Sequence, residues 1–317
     1  MGKSGFCGFA KVFVGLFLLP DAMIGRCDIV KTNTEKIKAQ FTRYMELWKS
    51  RRTEQLKTLV HPEVGVWLST CPHTPDGSQH GLFGVQDFID AIPRTDGLSY
   101  EITNFICRFQ GGSARQYAEA AVKAWNDSAG SFSFVAMFAN RWELQADGCF
   151  LMTEMRMDIN PIGGELRGYF EKEWLFEPEK AVLTENVHLP CIFPEMDSPF
   201  LYGGKDAEET AEDGITECLS RFFYGMDQLQ FIHVKDVLSE DFEGGKYRYV
   251  VTQKFLRQPL RYRSHPYAVR ELRVNGDRAD VTLASILESF PLLCVVLVRE
   301  DTAWKILSIK EDRYAKS

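Results

Sequence analysis

The sequence predicts an α+β fold with two tandem cone-shaped domains, each made of three helices packed on a curved, mostly antiparallel sheet. Three observations lead to this prediction. Amphipathic helical segments come before strands that alternate polar and apolar residues. Turn dipeptides of the Gly-Gly, Asp-Gly and Asn-Gly type separate those strands, as expected for antiparallel hairpins. The same order of elements then occurs a second time along the chain.

The first helices are predicted from apolar residues spaced three or four positions apart. These residues are Phe41, Tyr44 and Trp48 for the first helix, and Leu56, Leu59 and Val60 for the second. Pro62 ends the second helix, and the alternation of residues 64–68 predicts a strand. A loop rich in turn residues follows over Thr70–Phe83, and a third helix is predicted over Val85–Ile92.

Four strands complete the first domain and form two hairpins. The hairpins are Tyr100–Phe109 with Arg115–Trp125 around Gly111-Gly112, and Phe132–Leu144 with Cys149–Ile159 around Asp147-Gly148. Glycine supplies the positive φ that tight two-residue turns require. The sequence therefore predicts a mostly antiparallel sheet behind the three helices.

The second domain repeats this order in a shorter form. Helices are predicted over residues 215–226, 231–238 and 247–256, and strands over 269–274, 278–287, 291–299 and 303–310. Twenty-one residues separate Glu63 from Gly84 in the first copy (84 − 63), whereas four separate Asp241 from Gly245 in the second (245 − 241). The second copy is therefore predicted to lack most of the first strand and its loop.

These segments divide the chain into four regions. Residues 1–27 form an N-terminal extension, 28–160 the first domain, 161–205 a connector rich in aromatic residues and proline, and 206–317 the shortened second domain. The aromatic content of the connector predicts that part of it packs on the first domain, with an extra strand around Tyr169–Phe176.

Composition excludes several classes of protein. The chain has 317 residues, 45% of them hydrophobic, and a net charge of −7, so neither disorder nor a nucleic-acid-binding surface is predicted. The six histidines form no metal-binding spacing, and no glycine-rich phosphate loop follows a strand, so we expect no metal and no cofactor. The eight cysteines are interpreted as buried free thiols.

The N-terminal region allows three interpretations. The apolar run Val12–Leu19 follows two lysines and is typical of the core of a signal peptide. It is too short to span a bilayer, and Met23-Ile24-Gly25 is a poor cleavage site. Met23 is alternatively the true start of the protein. We favour a cytoplasmic location over export.

The order of helix, short helix, acidic turn and strand over Phe41–Ser69 resembles the nuclear transport factor 2-like superfamily. That superfamily includes the SnoaL-like cyclases and the ketosteroid isomerases, and the resemblance implies a conical cavity for a small apolar molecule. Arg43-Tyr44 matches the isomerase pair whose tyrosine donates a hydrogen bond to the substrate oxygen. Leu68 stands where the isomerases have their aspartate base, so the isomerase mechanism does not carry over.

The predicted catalytic residues lie on the first helix and in the loop that only the first copy retains. They are Tyr44, His73, Asp76 and His80. A histidine titrates near neutral pH and a carboxylate can orient it, so the loop residues form a possible acid–base pair. A hydrated loop in which Asp76-Gly77 is only a turn is the other interpretation.

The predicted pocket wall consists of aromatic and polar strand residues: Trp67, Tyr117, Trp125, Asn140 and Trp142. The polar face that carries Glu119, Arg156 and Asp158 is expected to meet water, since one face of an antiparallel sheet usually does.

The sequence thus predicts an acid–base enzyme of the lyase, isomerase or cyclase type that acts on a small apolar or aromatic carbonyl compound. The alternative is a protein that binds a small molecule, or a pseudo-dimeric scaffold, without chemistry. We expect the two domains to pair within the chain, and a homodimer is a further option. The strand at residues 291–299 is apolar on both faces and is expected to be buried on both.

Overall fold

The computed structural model describes residues 32–70, 81–90, 95–127, 130–164, 192, 194–205, 210–228, 230–244 and 264–312. Residues 32–164 are called the first half, and residues 210–312 the second half. The α-helices are α1 (Asn33–Lys49), α2 (Thr53–Leu56), α3 (Val85–Asp90), α4 (Pro194–Asp197), α5 (Ala211–Asp227) and α6 (Phe231–Val237). Short 3-10 helices lie at Lys57–Leu59, Pro199–Leu201 and Phe242–Gly244.

The strands form two sheets. The first half contains β1 (Val60–Thr70), β2 (Gly81–Phe83), β3 (Gly97–Gln110), β4 (Ser113–Asn126), β5 (Gly130–Leu144) and β6 (Phe150–Gly163). The second half contains β7 (Ala268–Asn275), β8 (Arg278–Ala284), β9 (Leu292–Glu300) and β10 (Ala303–Asp312). The sheet orders are β2-β1-β6-β5-β4-β3 and β10-β9-β8-β7. All described pairs are antiparallel except β1 with β6.

Both long helices begin with the same capping device. The hydroxyl of Thr32 accepts a hydrogen bond from the Glu35 amide at 3.2 Å, and the Glu35 carboxylate accepts one from the Thr32 amide at 2.8 Å. Thr210 and Asp213 form the equivalent pair at the start of α5. Each device satisfies amide groups that have no partner inside the helix.

The helix-covered face of the first sheet packs on α1 and α3. Phe41 and Tyr44 of α1 meet Phe138 of β5 with ring centroids 5.2 and 5.9 Å apart. Residues of the same parity along β4 and β5 lie on this face, because successive strand side chains alternate between faces. This apolar face forms the core of the first half.

Helix α5 lies between the two sheets. Ile215, Leu219 and Phe223 pack into the core of the second sheet, whereas Tyr224 packs with residues of β4 and β5 on the opposite face of the first sheet. This opposite face of the first sheet is called the outer face. Burial on both sides explains why α5 is apolar around much of its circumference. The two sheets also touch directly, because the guanidinium of Arg270 on β7 donates two hydrogen bonds to the carboxylate of Glu101 on β3.

Each half ends in an antiparallel meander of four strands. The meander β3 to β6 follows α1, α2, β1, β2 and α3, and the meander β7 to β10 follows α5 and α6. In the first half, β1 pairs in parallel with the last strand of the meander. In the second half, Leu238 follows α6 and forms a parallel bridge with Ile306 of β10, also the last strand. Among the described residues, the bridge between Leu238 and Ile306 thus lies where the first half has the whole strand β1.

Several local expectations need correction. Val60 is the first residue of β1 and not the end of a helix, and Gly81–Phe83 forms a strand where a loop was expected. In β9, Leu293, Val295 and Leu297 are buried, but Cys294 is exposed, so β9 is buried on one face only. The predicted segments 169–176 and 247–256 lie outside the described residues.

Part of the connector packs on the first sheet. Gly204 forms an antiparallel bridge with Phe109 of β3, and the guanidinium of Arg115 lies 4.3 Å from the ring centroid of Tyr202. Asp197 lies within 3.5 Å of both Arg141 and Arg156 on the outer face. These contacts attach residues 194–205 to β3–β6.

The four described cysteines are free thiols; Cys107 and Cys218 are buried, whereas Cys149 and Cys294 are exposed. Burial of every thiol was therefore wrong for the last two. None of the helices in the described part of the chain has the length and apolar character needed to cross a membrane.

Candidate functional site

Tyr44 lies in the apolar core between α1 and the first sheet. Its side chain is fully buried among Phe41, Trp48, Phe88 and Phe138. Its hydroxyl has no hydrogen-bond partner among the described residues. Burial raises the pKa of this hydroxyl far above its usual value of 10, so Tyr44 is a neutral hydrogen-bond donor. A buried donor without an acceptor costs about 1–3 kcal/mol.

Gln116 of β4 and Asn140 of β5 lie opposite each other on the same helix-covered face. The Gln116 Oε1 atom accepts hydrogen bonds from Asn140 Nδ2 at 2.8 Å and from Trp142 Nε1 at 3.3 Å. Gln116 Nε2 and Asn140 Oδ1 have no partner in the described part of the chain, although both side chains are buried. One donor and one acceptor therefore remain available.

These unused polar atoms belong to one neighbourhood. The ring of Tyr44 contacts Phe138, and Asn140 follows two positions later on the same face of β5, about 7 Å along the strand. Gln40 precedes Tyr44 by one helical turn, and its Oε1 atom is also without a described partner. Buried polar groups are nearly always satisfied, so this group of unused atoms is an unusual feature of an otherwise apolar core.

The predicted pocket wall is divided between the two faces of the first sheet. Trp142 and Asn140 share the helix-covered face with Tyr44, but Trp67 and Tyr117 have the opposite parity and lie on the outer face. Trp125 is 47% exposed and covers Gly97, so it is not part of an enclosed wall. Trp67, Tyr117 and Trp125 therefore do not share a pocket wall with Tyr44, because strand alternation directs their side chains away from it.

The outer face is not solvated, contrary to the expectation from the strand pattern. Glu119 and Asp158 have no exposed surface, and Arg156 is also buried. Tyr117 packs edge-on against Tyr224 of α5 at 4.8 Å between ring centroids, and Trp67 stacks on the guanidinium of Arg156 at 4.5 Å. The second half and the connector cover this face and replace water there.

A buried acid cluster lies at this junction. Glu119 Oε1 accepts hydrogen bonds from Tyr117 Oη at 3.0 Å and Asn104 Nδ2 at 3.1 Å. Asp227, the last residue of α5, accepts hydrogen bonds from the amide and from Nδ1 of His265. Burial, and then the negative charge of Asp227, raise the pKa of Glu119, while burial alone lowers the pKa of His265 to about 4.

No role was expected from the sequence for Gln116, Asp227 or His265. No local pattern marks them, because their partners lie 24, 38 and more positions away in the chain. The only available signal was Asp227 at the end of an apolar helix, where a cation is the usual residue.

A groove of about 410 Å³ opens between the first turns of α1 and α5 and residues 105–108 of β3. Five of its six charged side chains have hydrogen-bond or ion-pair partners, and the ammonium of the sixth, Lys38, lies 5.9 Å from the ring centroid of Phe105. Arg108 and Lys205 both contact Glu217, and Glu35 and Asp213 serve the two capping devices. The groove therefore offers no unpaired charge from these five residues.

His73, Asp76 and His80 lie outside the described residues, so they remain predictions. Leu68 lies on β1, opposite Met157 of β6 in the parallel pair. Within the described ranges, no group of three or more His, Cys, Asp or Glu side chains is arranged to hold a metal ion.

No protein-family description matches the chain, and no curated protein is similar to it at a significant level. Solved structures resemble part of it. A scytalone dehydratase candidate from Novosphingobium aromaticivorans is 12% identical over 41% of this chain and 85% of its own, with a TM-score of 0.33. The CaMKII hub of S. rosetta is 13% identical over 42% and 98%, with a TM-score of 0.33.

A dehydratase candidate of the nuclear transport factor 2-like family from Streptomyces avermitilis is 14% identical over 41% of this chain and 96% of its own, with a TM-score of 0.33. Each of these matches spans about two fifths of the present chain, so the likeness extends to a part of the molecule and not to the whole.

Proposed function

We propose that the first half binds a small, largely apolar molecule that carries a carbonyl or hydroxyl group. The observation behind this proposal is the set of unused polar atoms on the helix-covered face: Tyr44 Oη, Gln116 Nε2 and Asn140 Oδ1. A ligand oxygen would accept a hydrogen bond from Tyr44 or Gln116, and a ligand hydroxyl would donate one to Asn140. Aromatic side chains around Tyr44 would contact the apolar part of the ligand.

Acid–base chemistry on that ligand is the more specific proposal. Tyr44, kept neutral by burial, would polarise a carbonyl oxygen, and a histidine of the loop would move the proton. The proposed proton-transfer residues are His73 and His80, with Asp76 as the orienting carboxylate. The reaction would be of the lyase, isomerase or cyclase type and would need no cofactor. Binding without turnover is the alternative.

Mass spectrometry of the native protein, followed by thermal-shift screening with small aromatic ketones and phenols, tests the binding proposal. We expect at least one compound class to raise the melting temperature of the wild type. Tyr44→Phe should weaken binding of such a compound about tenfold, because it removes one hydrogen-bond donor. Tyr100→Phe is the matched control, since the Tyr100 hydroxyl already donates to Glu46 and is not one of the unused polar atoms.

Equal binding by Tyr44→Phe and the wild type would contradict the proposed site. Conversion of the bound compound, followed by mass spectrometry, separates an enzyme from a binding protein. Loss of conversion in a His73→Ala/His80→Ala double variant that still binds would support the acid–base role. Full conversion by that variant would refute it.

We also infer that the two halves derive from duplication of one domain. Each half has helices before a four-stranded antiparallel meander, and in each a parallel contact to the last strand of the meander comes after the second helix. The second half has one bridging residue, Leu238, where the first has β1. On this proposal, only the first half kept the elements needed for a ligand site.

A further inference from the structure

We propose that Glu119, Asp227 and His265 form a proton-dependent latch, which holds the second half on the outer face of the first sheet when protonated and weakens when protons are lost. The proposal does not depend on ligand binding to the helix-covered face. It concerns two buried carboxyl groups, Glu119 and Asp227, that the ligand-site proposal leaves unused.

The latch residues come from elements far apart in the sequence. Glu119 lies on β4, Asp227 ends α5, and His265 lies three residues before β7. The Glu119 side chain has no exposed surface and Asp227 is 3% exposed. The contact between the two halves therefore contains two buried carboxyl groups, Glu119 from the first half and Asp227 from the second.

The hydrogen bonds indicate where a proton must be. Donors occupy Glu119 Oε1, whereas no described donor reaches Oε2. A carboxylate oxygen without a donor in a buried site is costly, but a protonated Oε2 is itself a donor. Burial, then the negative charge of Asp227 and a hydrogen bond to it, raise the pKa of Glu119, so Asp227 is the acceptor for that proton. The pair is thus built for one shared proton, as in other close carboxyl pairs.

Asn104 reinforces this arrangement. It adopts a positive φ of 54° within the irregular pairing of β3 and β4, and its Nδ2 atom donates to Glu119. Left-handed backbone conformations are uncommon outside glycine and are retained where the surroundings require them. Here the irregularity places an amide donor on Oε1, and Oε2 has no described donor.

Other titratable groups surround the latch. They are Tyr117 on β4, Tyr224 on α5, Tyr267 before β7 and, two strands away on the same face, Asp158 on β6. Burial raises the pKa of Tyr117 and of Tyr267, so both tyrosines stay neutral over the pH range of the test described below. Of the charges around Glu119, that of Asp227 has the largest effect on its pKa, and it raises it.

The sign of the pH effect follows from the direction of each shift. The pKa of Glu119 is raised on folding, so the folded protein holds a proton that the unfolded chain loses above about pH 4.5. The stability that this group contributes is present below that pH and is lost as pH rises towards the folded pKa. Burial shifts the pKa of Asp227 in the same direction. His265 acts oppositely, but only between about pH 4 and 6.5.

The test compares the wild type with Glu119→Gln from pH 5 to 9.5. Glutamine keeps the size and the acceptor oxygen and carries a permanent donor, so it imitates the protonated latch. The unfolding constant of the wild type divided by that of Glu119→Gln should rise by up to tenfold per pH unit. The rise should stop once Glu119 ionises in the folded protein. The charge of Glu119 also acts on the pKa of His265, so the ratio is read above about pH 6.5, where His265 is neutral in the folded and the unfolded chain.

Hydrogen exchange at matched pH locates the effect. We expect residues 217–227 and 264–268 to lose protection in the wild type relative to Glu119→Gln as pH rises, because these segments contact the latch. Glu143→Gln is the matched control: Glu143 is an exposed carboxylate on the neighbouring strand β5. Its unfolding constant should track that of the wild type at every pH.

A ratio for Glu119→Gln that does not change with pH overturns the proposal, as does loss of protection elsewhere in the chain without loss at these segments. If Glu119→Gln fails to fold, Asp227→Asn serves in the same comparison, because it removes the other half of the carboxyl pair. A pH-independent ratio for Asp227→Asn then overturns the latch. Ligand binding by the first half decides the other proposal separately.

Discussion

At the scale of single residues, the main feature is polar groups placed where water cannot satisfy them. Tyr44, Gln116 and Asn140 keep unused hydrogen-bonding atoms inside an apolar core, and Glu119 does so at the junction of the halves. Each such atom destabilises the folded protein by about 1–3 kcal/mol unless something binds it. This energetic cost is the reason to assign Tyr44, Gln116 and Asn140 a role in ligand binding.

Tyr44→Phe should therefore stabilise the ligand-free protein by about 1 kcal/mol, because it removes a buried hydroxyl that has no acceptor among the described residues. Urea denaturation at neutral pH measures the change. Tyr100→Phe should have the opposite effect, a loss of about 0.5–1.5 kcal/mol, since that hydroxyl is bonded to Glu46. Destabilisation by both substitutions to the same extent would mean that Tyr44 has an acceptor in the folded protein.

At the scale of elements, α5 carries the greatest packing constraint. It contacts both sheets and also lies against α6 at Gly225. A Cβ atom at Gly225 would lie 2.9 Å from Val234 Cγ2 and 3.0 Å from the carbonyl oxygen of Gln230. Glycine is needed here for the close approach of two helices rather than for an unusual backbone angle.

Gly225→Ala should destabilise the protein by about 1–3 kcal/mol, because the added methyl group overpacks the contact between α5 and α6. Alanine has the higher helix propensity, which favours the variant by about 1 kcal/mol. We expect the cost of overpacking to exceed this gain, because backbone atoms of α6 would have to move. Thermal and chemical denaturation provide the measurement. Gly204→Ala is the control, since a Cβ atom there meets nothing within 4 Å. An increase in stability for Gly225→Ala would show that α6 moves away without cost.

At the scale of the whole molecule, a shared apolar cluster connects the halves. It includes Tyr117, Val135 and Met137 of the first sheet with Tyr224 of α5 and Leu287 of the second half. Tyr224 is fully buried and also contacts Phe200 of the connector at 5.4 Å between ring centroids. Side chains from three regions of the chain thus share one core, which predicts cooperative unfolding.

Tyr224→Ala should cost about 3–5 kcal/mol and lower protection from hydrogen exchange in both β4 and β8, because the cavity lies between the halves. Phe222→Ala is the matched comparison, since Phe222 belongs to the core of the second sheet alone. Its effect should be concentrated in the second half. If Tyr224→Ala leaves β4 protected, the halves unfold independently and the shared cluster does not couple them.

The sequence by itself determined the elements and most of their order. Helical spacing identified α1, α5 and α6, and turn pairs such as Asn275-Gly276 identified the hairpins, because both signals depend on neighbours within a few residues. It also identified Tyr44 and Asn140 as polar residues on apolar elements.

Only the tertiary structure decided which face of the first sheet meets water. The alternation along β4 is the same whether Glu119 faces solvent or another part of the chain, so the strand pattern favoured a solvated face. The placement of α5 between the sheets buried that face, separated Trp67 and Tyr117 from Tyr44, and brought Asp227 and His265 to Glu119. Those contacts join residues about a hundred positions apart, and local spacing carries no information about partners at that distance.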